Sequence, residues 1–405
     1  MWDAVKIEAL TPFGRGADAP LAGRTVLQVV PPLSAGGDER ATLAVTAALV
    51  NGGARALVAS DPGAFARELQ AVGGLHVPFP ASNKNPLGMT LNILRLARII
   101  EEERVDLVHA RSRGAAWVAV GACRKTKRPL VTAVPGEASG ALARSSFEAA
   151  VADGDRVIAA SYFAAQRAGD SFPAALARLR IVRPGLDLAE LSPQSVSRLR
   201  VARAREAWDA APHERAVLAP ARLAPGRGQR FVIEAAAILK ERGLVDIRVV
   251  LAGEAAKPAF ARELDALAVK RGVKSIVTRV GRAADRPAAF VAASVVVFAA
   301  SEPEGIARTA IEAAGMGALV VASDVGAARE IVAAPPHDPP EARSGWLVPA
   351  GNSAALADAI EAALTLGASA REAIRARSRA RIAEFYSLDR MTRDTLSVYA
   401  EALGG

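Results

Sequence analysis

The sequence predicts an α/β protein made of two doubly wound, Rossmann-like domains, each built on a parallel sheet, with a cleft between them. Three observations support this prediction. The chain has 405 residues, enough for two domains that each bury a core. Short runs of aliphatic and β-branched residues alternate with helical patterns, which is typical of a parallel sheet. The alternation stops near residue 190, where a mixed polar stretch follows, and restarts after about residue 200.

The first half carries the repeated pattern of strand, loop and helix. Residues 25–30 predict a strand and about 40–51 a helix, with Gly36-Gly37 in the loop between them. A glycine loop between a strand and a helix is typical of a phosphate site, although these glycines could equally form only a tight turn. Further strands are predicted at 54–60, 105–110, 129–134 and 156–160, and further helices at 64–72 and 89–103.

The second half repeats the pattern and contains the most informative stretch, residues 301–323. Strands are predicted at 216–219, 246–251, 276–280 and 294–298, and helices at 230–242, 354–364, 370–384 and 388–403. Glu304 precedes a predicted helix, and Glu312 lies inside that helix, ahead of a buried strand. The free N–H groups at the start of the helix suit an anion such as a phosphate. Two solvated glutamates in an ordinary helix and strand would explain the same spacing.

Composition narrows the class of protein. The formal net charge of +9 favours an acidic partner, such as a nucleotide diphosphate, an anionic membrane surface or a nucleic acid. We expect no nucleic-acid partner, because aromatic residues make up only 4% of the chain and the basic run 124–128 is short. The single cysteine and four scattered histidines predict neither a disulfide framework nor a metal site. Without an apolar signal or spanning segment, we expect a cytoplasmic location.

The predicted domain boundaries follow from where the pattern stops and restarts. Residues 1–23 are aperiodic and predict a loose lead-in. Residues 24–190 form the first predicted domain and 200–384 the second, and the apolar spacing of the last helix permits 385–405 to cross back to the first. The segment between the domains is a candidate hinge, and the predicted cleft is the expected ligand site.

Several motifs occur in the order that one enzyme family shows. They are Gly36-Gly37 with Glu39-Arg40, DLVHARSR at 106–113, RPGLD at 183–187, Arg222-Leu223 with Arg227-Gly228, and the two-glutamate stretch 301–323. Over residues 25–403 the sequence thus resembles the retaining nucleotide-sugar glycosyltransferases of glycosyltransferase family 4, the group 1 type. The resemblance implies the GT-B fold, in which the second Rossmann-like domain binds the nucleotide sugar.

The resemblance also implies roles for individual residues. Arg222 and Arg227 would bind the donor diphosphate and stabilise charge on the departing nucleotide. Glu304 would accept hydrogen bonds from the transferred sugar, and Glu312 would hold the ribose hydroxyls. The remaining donor-binding candidates are Ile306, Ala307, Gly36, Gly37, Gly281 and Arg282. The resemblance implies no metal or other cofactor, and the donor phosphate would help to deprotonate the attacking hydroxyl.

Two positions depart from the family pattern. Pro135 stands where a histidine is usual, and Ala307 stands where a glycine is common. The acceptor-side candidates are His109, Arg111, Lys84 and Glu137, of which His109, Arg111 and Glu137 could substitute for the missing histidine. His109 could equally be a histidine that only ends a strand.

Together these features predict a glycosyltransferase that moves a sugar, with retention, from a nucleotide-diphosphate sugar to a glycan or lipid-linked acceptor. The expected pathway is bacterial lipopolysaccharide or surface polysaccharide biosynthesis, and the expected donor is a UDP-sugar, with guanine as the other base considered. Basic stretches at 124–128 and 371–381 predict peripheral contact with the cytoplasmic face of the inner membrane. The alternative is a non-catalytic relative that binds a nucleotide sugar and regulates a pathway, which Pro135 and Ala307 favour.

Overall fold

A computed structural model describes residues 21–30, 37–61, 66–82, 85–134 and 146–404. The chain forms two compact units, one of Met1–Gly185 with Leu388–Gly405 and one of Leu186–Ser387. The short segments 186–190 and 385–387, which the sequence assigned to the first domain, therefore lie in the second unit.

The first unit is built on a seven-stranded parallel sheet in the order β3-β2-β1-β4-β5-β6-β7. The strands are β1 (Thr25–Val29), β2 (Arg55–Ser60), β3 (Leu75–Pro78), β4 (Leu107–Ala110), β5 (Leu130–Ala133), β6 (Arg156–Ala159) and β7 (Leu179–Ile181). The helices between them are α1 (Gly37–Asn51), α2 (Ala66–Ala71), α3 (Pro86–Glu102), α4 (Arg113–Thr126), α5 (Ser146–Val151) and α6 (Tyr162–Ser171).

Both faces of this sheet are covered, which explains why its strands are almost wholly apolar. Leu27 and Val29 of β1 point to the face that packs on α3 and α4. Val26, the residue before Leu27, points to the opposite face and packs with α1. Local sequence sets the helix starts: Ser112 caps α4 by accepting a hydrogen bond from the N–H of Ala115 at 3.2 Å.

The second unit repeats this design with a six-stranded parallel sheet in the order β10-β9-β8-β11-β12-β13. Its strands are β8 (Arg215–Ala219), β9 (Ile247–Ala252), β10 (Val277–Val280), β11 (Val295–Phe298), β12 (Val320–Ser323) and β13 (Gly345–Val348). Its helices are α7 (Arg198–Ala207), α8 (Gln229–Glu241), α9 (Pro258–Lys270), α10 (Arg286–Ala292), α11 (Arg308–Gly315), α12 (Ala328–Ile331), α13 (Ser353–Leu364) and α14 (Ala368–Phe385).

The sequence patterns predicted the strands better than the helices. Helix α7 begins where the expected linker ends and was not predicted, because half of its residues are charged and none of them is buried. Ser197 nevertheless caps it, accepting a hydrogen bond from the N–H of Arg200 at 3.3 Å.

The last helix, α15 (Leu388–Ala402), belongs to the first unit. Its Tyr399 is fully buried against the sheet. Oε2 of its Glu401 lies 3.1 Å from Nε of Arg156 and 2.8 Å from Nε of Arg180. These contacts hold the end of the chain on β6 and β7. Throughout the described ranges, no helix combines the length and apolar character that crossing a membrane requires.

Candidate active site

The predicted donor-site residues of the second unit follow strands β8 and β11, which are neighbours in its sheet. From β8 the sheet continues to β9 on one side, and from β11 it continues to β12 on the other. Ligands of doubly wound sheets bind at such a switch point, beyond the carboxyl ends of the strands. Arg222 and Arg227 lie in the loop after β8, and Glu304 lies in the loop after β11.

Two glycines bring these loops into direct contact. The carbonyl of Gly226 accepts a hydrogen bond from the N–H of Ser301 at 2.9 Å. Gly228 has a φ of +79°, and a Cβ at this position would lie 1.6 Å from the carbonyl oxygen of Ala299. Only glycine therefore fits here. Arg227, between the two glycines, is held opposite the loop that carries Glu304.

Arg227 and Glu304 form an ion pair across the two loops. The side chains are 40% and 27% exposed, so both remain accessible to a ligand. Arg222 lies on the surface, while its backbone carbonyl accepts a hydrogen bond from the buried Gln229 side chain at 2.9 Å. The structure thus places the three predicted catalytic residues on two touching loops.

A third loop, after β12, contacts the backbone of Glu304. The carbonyl of Glu304 accepts a hydrogen bond from the N–H of Ala327 at 3.0 Å. A Cβ on Gly326 would come within 2.2 Å of that carbonyl oxygen, so the close approach requires glycine. A mostly apolar pocket lies beside Glu304, and its lining includes Phe298, Ala307, Ala310, Ala322, Ser323, Ala328 and Ile331.

Two helix starts point to the same edge of the sheet. Helix α8 begins after Gly228 and α11 after Ala307, and neither of these N-cap residues makes a side-chain capping hydrogen bond. No N-cap side chain therefore occupies the start of either helix, and the helix dipoles favour negative charge there. With Arg222 and Arg227 nearby, this edge is suited to a diphosphate.

Glu312 is buried, unlike a solvated helix glutamate, with only 5% of its surface exposed. Arg286 Nη1 lies 3.2 Å from its Oε2, and Arg308 Nε lies 3.5 Å from its Oε1. Neither arginine was among the residues predicted for the site. Arg308 stands four positions before Glu312, which is a detectable signal for a helical ion pair. Arg286 comes from a different helix, so no local pattern could identify it.

Gly281 and Arg282 lie in the exposed loop after β10. A Cβ on Gly281 would meet nothing within 4 Å, so this glycine is not required for packing. The loop leads into α10, whose first residue, Arg286, reaches Glu312. The chain therefore runs from these two donor-binding candidates directly into the helix whose first residue contacts the predicted ribose carboxylate.

The acceptor-side candidates of the first unit have different surroundings. His109 is buried on β4, and its Nδ1 lies 2.7 Å from the Tyr399 hydroxyl. Burial, and to a smaller extent Arg111, lowers the pKa of His109 well below its ordinary value, so the ring is neutral. Among the residues described, its Nε2 has no hydrogen-bond partner. This histidine therefore faces the interior rather than a solvent-exposed acceptor.

Arg111 is only partly buried and donates to Gln28 at 3.3 Å and to Thr42 at 3.1 Å. It forms part of a polar cluster at the carboxyl ends of β1 and β4, the switch point of the first sheet. Gly37 is the first residue of α1, close along the chain to this cluster. The predictions for Gly36, Lys84, Glu137 and Pro135 concern residues outside the described ranges.

Two family models match the chain. Residues 35–190 match the model for Glycosyltransferase Family 4, and residues 214–365 match the model for Glycosyl transferases group 1. A D-inositol 3-phosphate glycosyltransferase from Jonesia denitrificans is 32% identical over 228 residues, which are 55% of this chain and 51% of that protein. The chain therefore matches about half the length of this relative.

Solved structures match over almost the whole chain. A glycosyltransferase from Rickettsia africae has a TM-score of 0.80 and 26% identity, covering 94% of this chain and 98% of that one. The Anabaena HepE protein in complex with UDP and glucose has a TM-score of 0.71 and 22% identity, covering 91% and 97%. The predicted GT-B fold is confirmed, and both halves of the chain are similar to glycosyltransferases.

Proposed function

We propose that this chain is a glycosyltransferase that transfers a sugar from a nucleotide-diphosphate donor to a glycan or lipid-linked acceptor, with retention at the anomeric carbon. The observation that supports this proposal most is the Arg227–Glu304 ion pair at the switch point of the second sheet. Donor diphosphates need cations at such an edge, and sugar hydroxyls need a carboxylate beside them. Similarity to glycosyltransferases in both halves of the chain supports the same reaction class.

In this proposal the arginines bind the donor phosphates and Glu304 binds the sugar. Arg227 has five N–H donors, so it can hold a phosphate oxygen while it keeps Glu304 in place. The acceptor oxygen forms its bond to the anomeric carbon while the bond from that carbon to the phosphate oxygen breaks. The leaving nucleoside diphosphate takes the bonding electrons, and its phosphate takes the acceptor proton. Arg222 and Arg227 stabilise the charge that develops on this leaving group.

The proposal is tested by measuring nucleoside diphosphate release from a panel of UDP-, GDP- and ADP-sugars, with and without candidate acceptors. UDP-sugars come first because the sequence resembles surface-polysaccharide enzymes. We expect release with one donor class to rise about 100-fold or more when the right acceptor is added. Binding of nucleotide sugars without any acceptor-dependent release would favour the non-catalytic alternative, which Ala307 at the start of α11 supports.

We further propose that the protein works in surface polysaccharide biosynthesis on the cytoplasmic face of a membrane, which it contacts peripherally. Three exposed leucines on α3 support this contact: Leu87 (71%), Leu91 (46%) and Leu94 (54%). Their spacing puts them on one face of the helix. Arg95 and Arg98 are exposed further along the helix, Arg98 at 3.1 Å from Glu102, and α4, packed beside α3, carries the exposed Lys125 in its last turn. Apolar side chains flanked by cations suit an anionic bilayer.

Vesicle sedimentation tests this surface. We expect the protein to sediment with vesicles that contain phosphatidylglycerol and to remain in the supernatant with phosphatidylcholine alone. Replacing all three leucines by serine should lower binding about tenfold or more, because their apolar side chains would no longer enter the lipid. Leu199→Ser is the matched control, since Leu199 is 60% exposed on α7 of the other unit. Undiminished vesicle binding by the triple variant would contradict the membrane role.

A further inference from the structure

The surroundings of Glu312 have a feature that the proposed function does not explain. Each carboxylate oxygen has its own arginine, with Arg286 at 3.2 Å from Oε2 and Arg308 at 3.5 Å from Oε1. The Glu312 side chain is only 7% exposed, whereas those of Arg286 and Arg308 are 50% and 31% exposed. The carboxylate is therefore held in place from two sides by groups that themselves reach solvent.

The position of Arg286 is fixed by a second set of contacts. Asp285 caps α10, accepting a hydrogen bond from the N–H of Ala288 at 3.0 Å. Arg200 of α7 binds both oxygens of Asp285, at 2.6 and 2.8 Å. Hydrogen bonding from Arg200 lowers the pKa of Asp285, so the cap remains ionised. The first turn of α10 is thus tied to α7, and Arg286 extends from that turn to Glu312.

This geometry leaves the carboxylate able to bind two more donors. A carboxylate offers about four acceptor positions, two on each oxygen. If each arginine takes one position on a different oxygen, each oxygen keeps one position open. Two adjacent hydroxyls, such as those of a ribose, match that pattern.

We propose that Arg286 is a positioning residue, which turns Glu312 so that each of its oxygens accepts one ribose hydroxyl. Arg286 thereby sets the preference of the site for ribonucleotides over deoxyribonucleotides. The inference rests on the proposed function, because it takes Glu312 as the ribose carboxylate. It differs from simple charge compensation, which would affect ribose and deoxyribose ligands equally.

Calorimetric titration of the whole protein with nucleoside diphosphates tests the inference. The probes are UDP, GDP and ADP, followed by the 2′-deoxy form of the one that binds. We expect the wild type to prefer the ribose form by about tenfold or more, as for a lost hydrogen bond to a charged group. Arg286→Gln should weaken ribonucleotide binding, which uses both hydroxyls, about tenfold and 2′-deoxynucleotide binding, which uses only the 3′-hydroxyl, about threefold, and so reduce the preference to about threefold. Arg286→Lys should restore part of it.

The controls separate this inference from the proposed function. Arg262→Gln removes an exposed arginine of α9 and should keep both affinities. Thermal melts should show that Arg286→Gln remains folded. A wild type that binds no nucleoside diphosphate would overturn the proposed function and the inference together. Two outcomes overturn only the inference. In the first, the wild type binds a nucleoside diphosphate but shows no preference for the ribose form. In the second, Arg286→Gln keeps that preference, which includes the case where binding of the ribose and 2′-deoxy forms is weakened equally.

Discussion

Replacing Glu304 with glutamine is expected to lower the kcat of sugar transfer by about 100-fold or more. Glutamine keeps the shape of the side chain but loses the charge that pairs with Arg227. The amide would also offer the sugar hydroxyls one weaker acceptor in place of a carboxylate. Thermal stability should change little, because partly exposed ion pairs contribute about 1 kcal/mol or less.

The measurement is steady-state kinetics with the donor and acceptor identified by the release panel, together with a thermal melt of each variant. Glu263→Gln provides the matched control, since this glutamate is exposed on α9 of the same unit. It should keep kcat within about twofold of wild type, as most surface substitutions are neutral. If the Glu304→Gln variant keeps full turnover, the assignment of Glu304 to the proposed site is wrong, whichever nucleotide sugar is the donor.

Replacing Gly228 with alanine is expected to destabilise the second unit by about 3 kcal/mol or more. The residue has a left-handed backbone, and its new Cβ would lie 1.6 Å from the carbonyl oxygen of Ala299. That oxygen belongs to the backbone, so the two loops must separate. For a unit of this size the melting temperature should fall by about 6–12 °C. Nucleotide binding should also weaken, because Arg227 moves with the loop.

Gly243→Ala is the control for backbone strain alone. Gly243 has a φ of +86°, but a Cβ there would meet nothing within 4 Å. We expect this variant to lose only about 1 kcal/mol and to bind nucleotide normally. Equal losses of stability in the two variants, measured by thermal unfolding, would show that contact between the loops does not matter.

The parallel sheets could be predicted from the sequence because buried strands are short, continuous apolar runs such as Val295–Phe298. The polar helix α7 could not, since no periodic apolar face identifies it. In the candidate site, the spacing of Glu304 and Glu312 and the glycines around Arg227 were visible as motifs. The burial of Glu312 and its contact with Arg286 were not, because both depend on how α10 and α11 pack in three dimensions.

The place of α15 has a consequence for the order in which the chain is completed during synthesis. The second unit, Leu186–Ser387, is one continuous segment, whereas the first lacks α15 until residues after Ser387 have been made. Tyr399 and Glu401, which pack on strands formed much earlier, reach the sheet last. Domains usually complete their folding from the N-terminus on the ribosome. Here the first unit is begun before the second but completed after it. The first sheet of a nascent chain therefore lacks its contacts with α15 while the second unit folds.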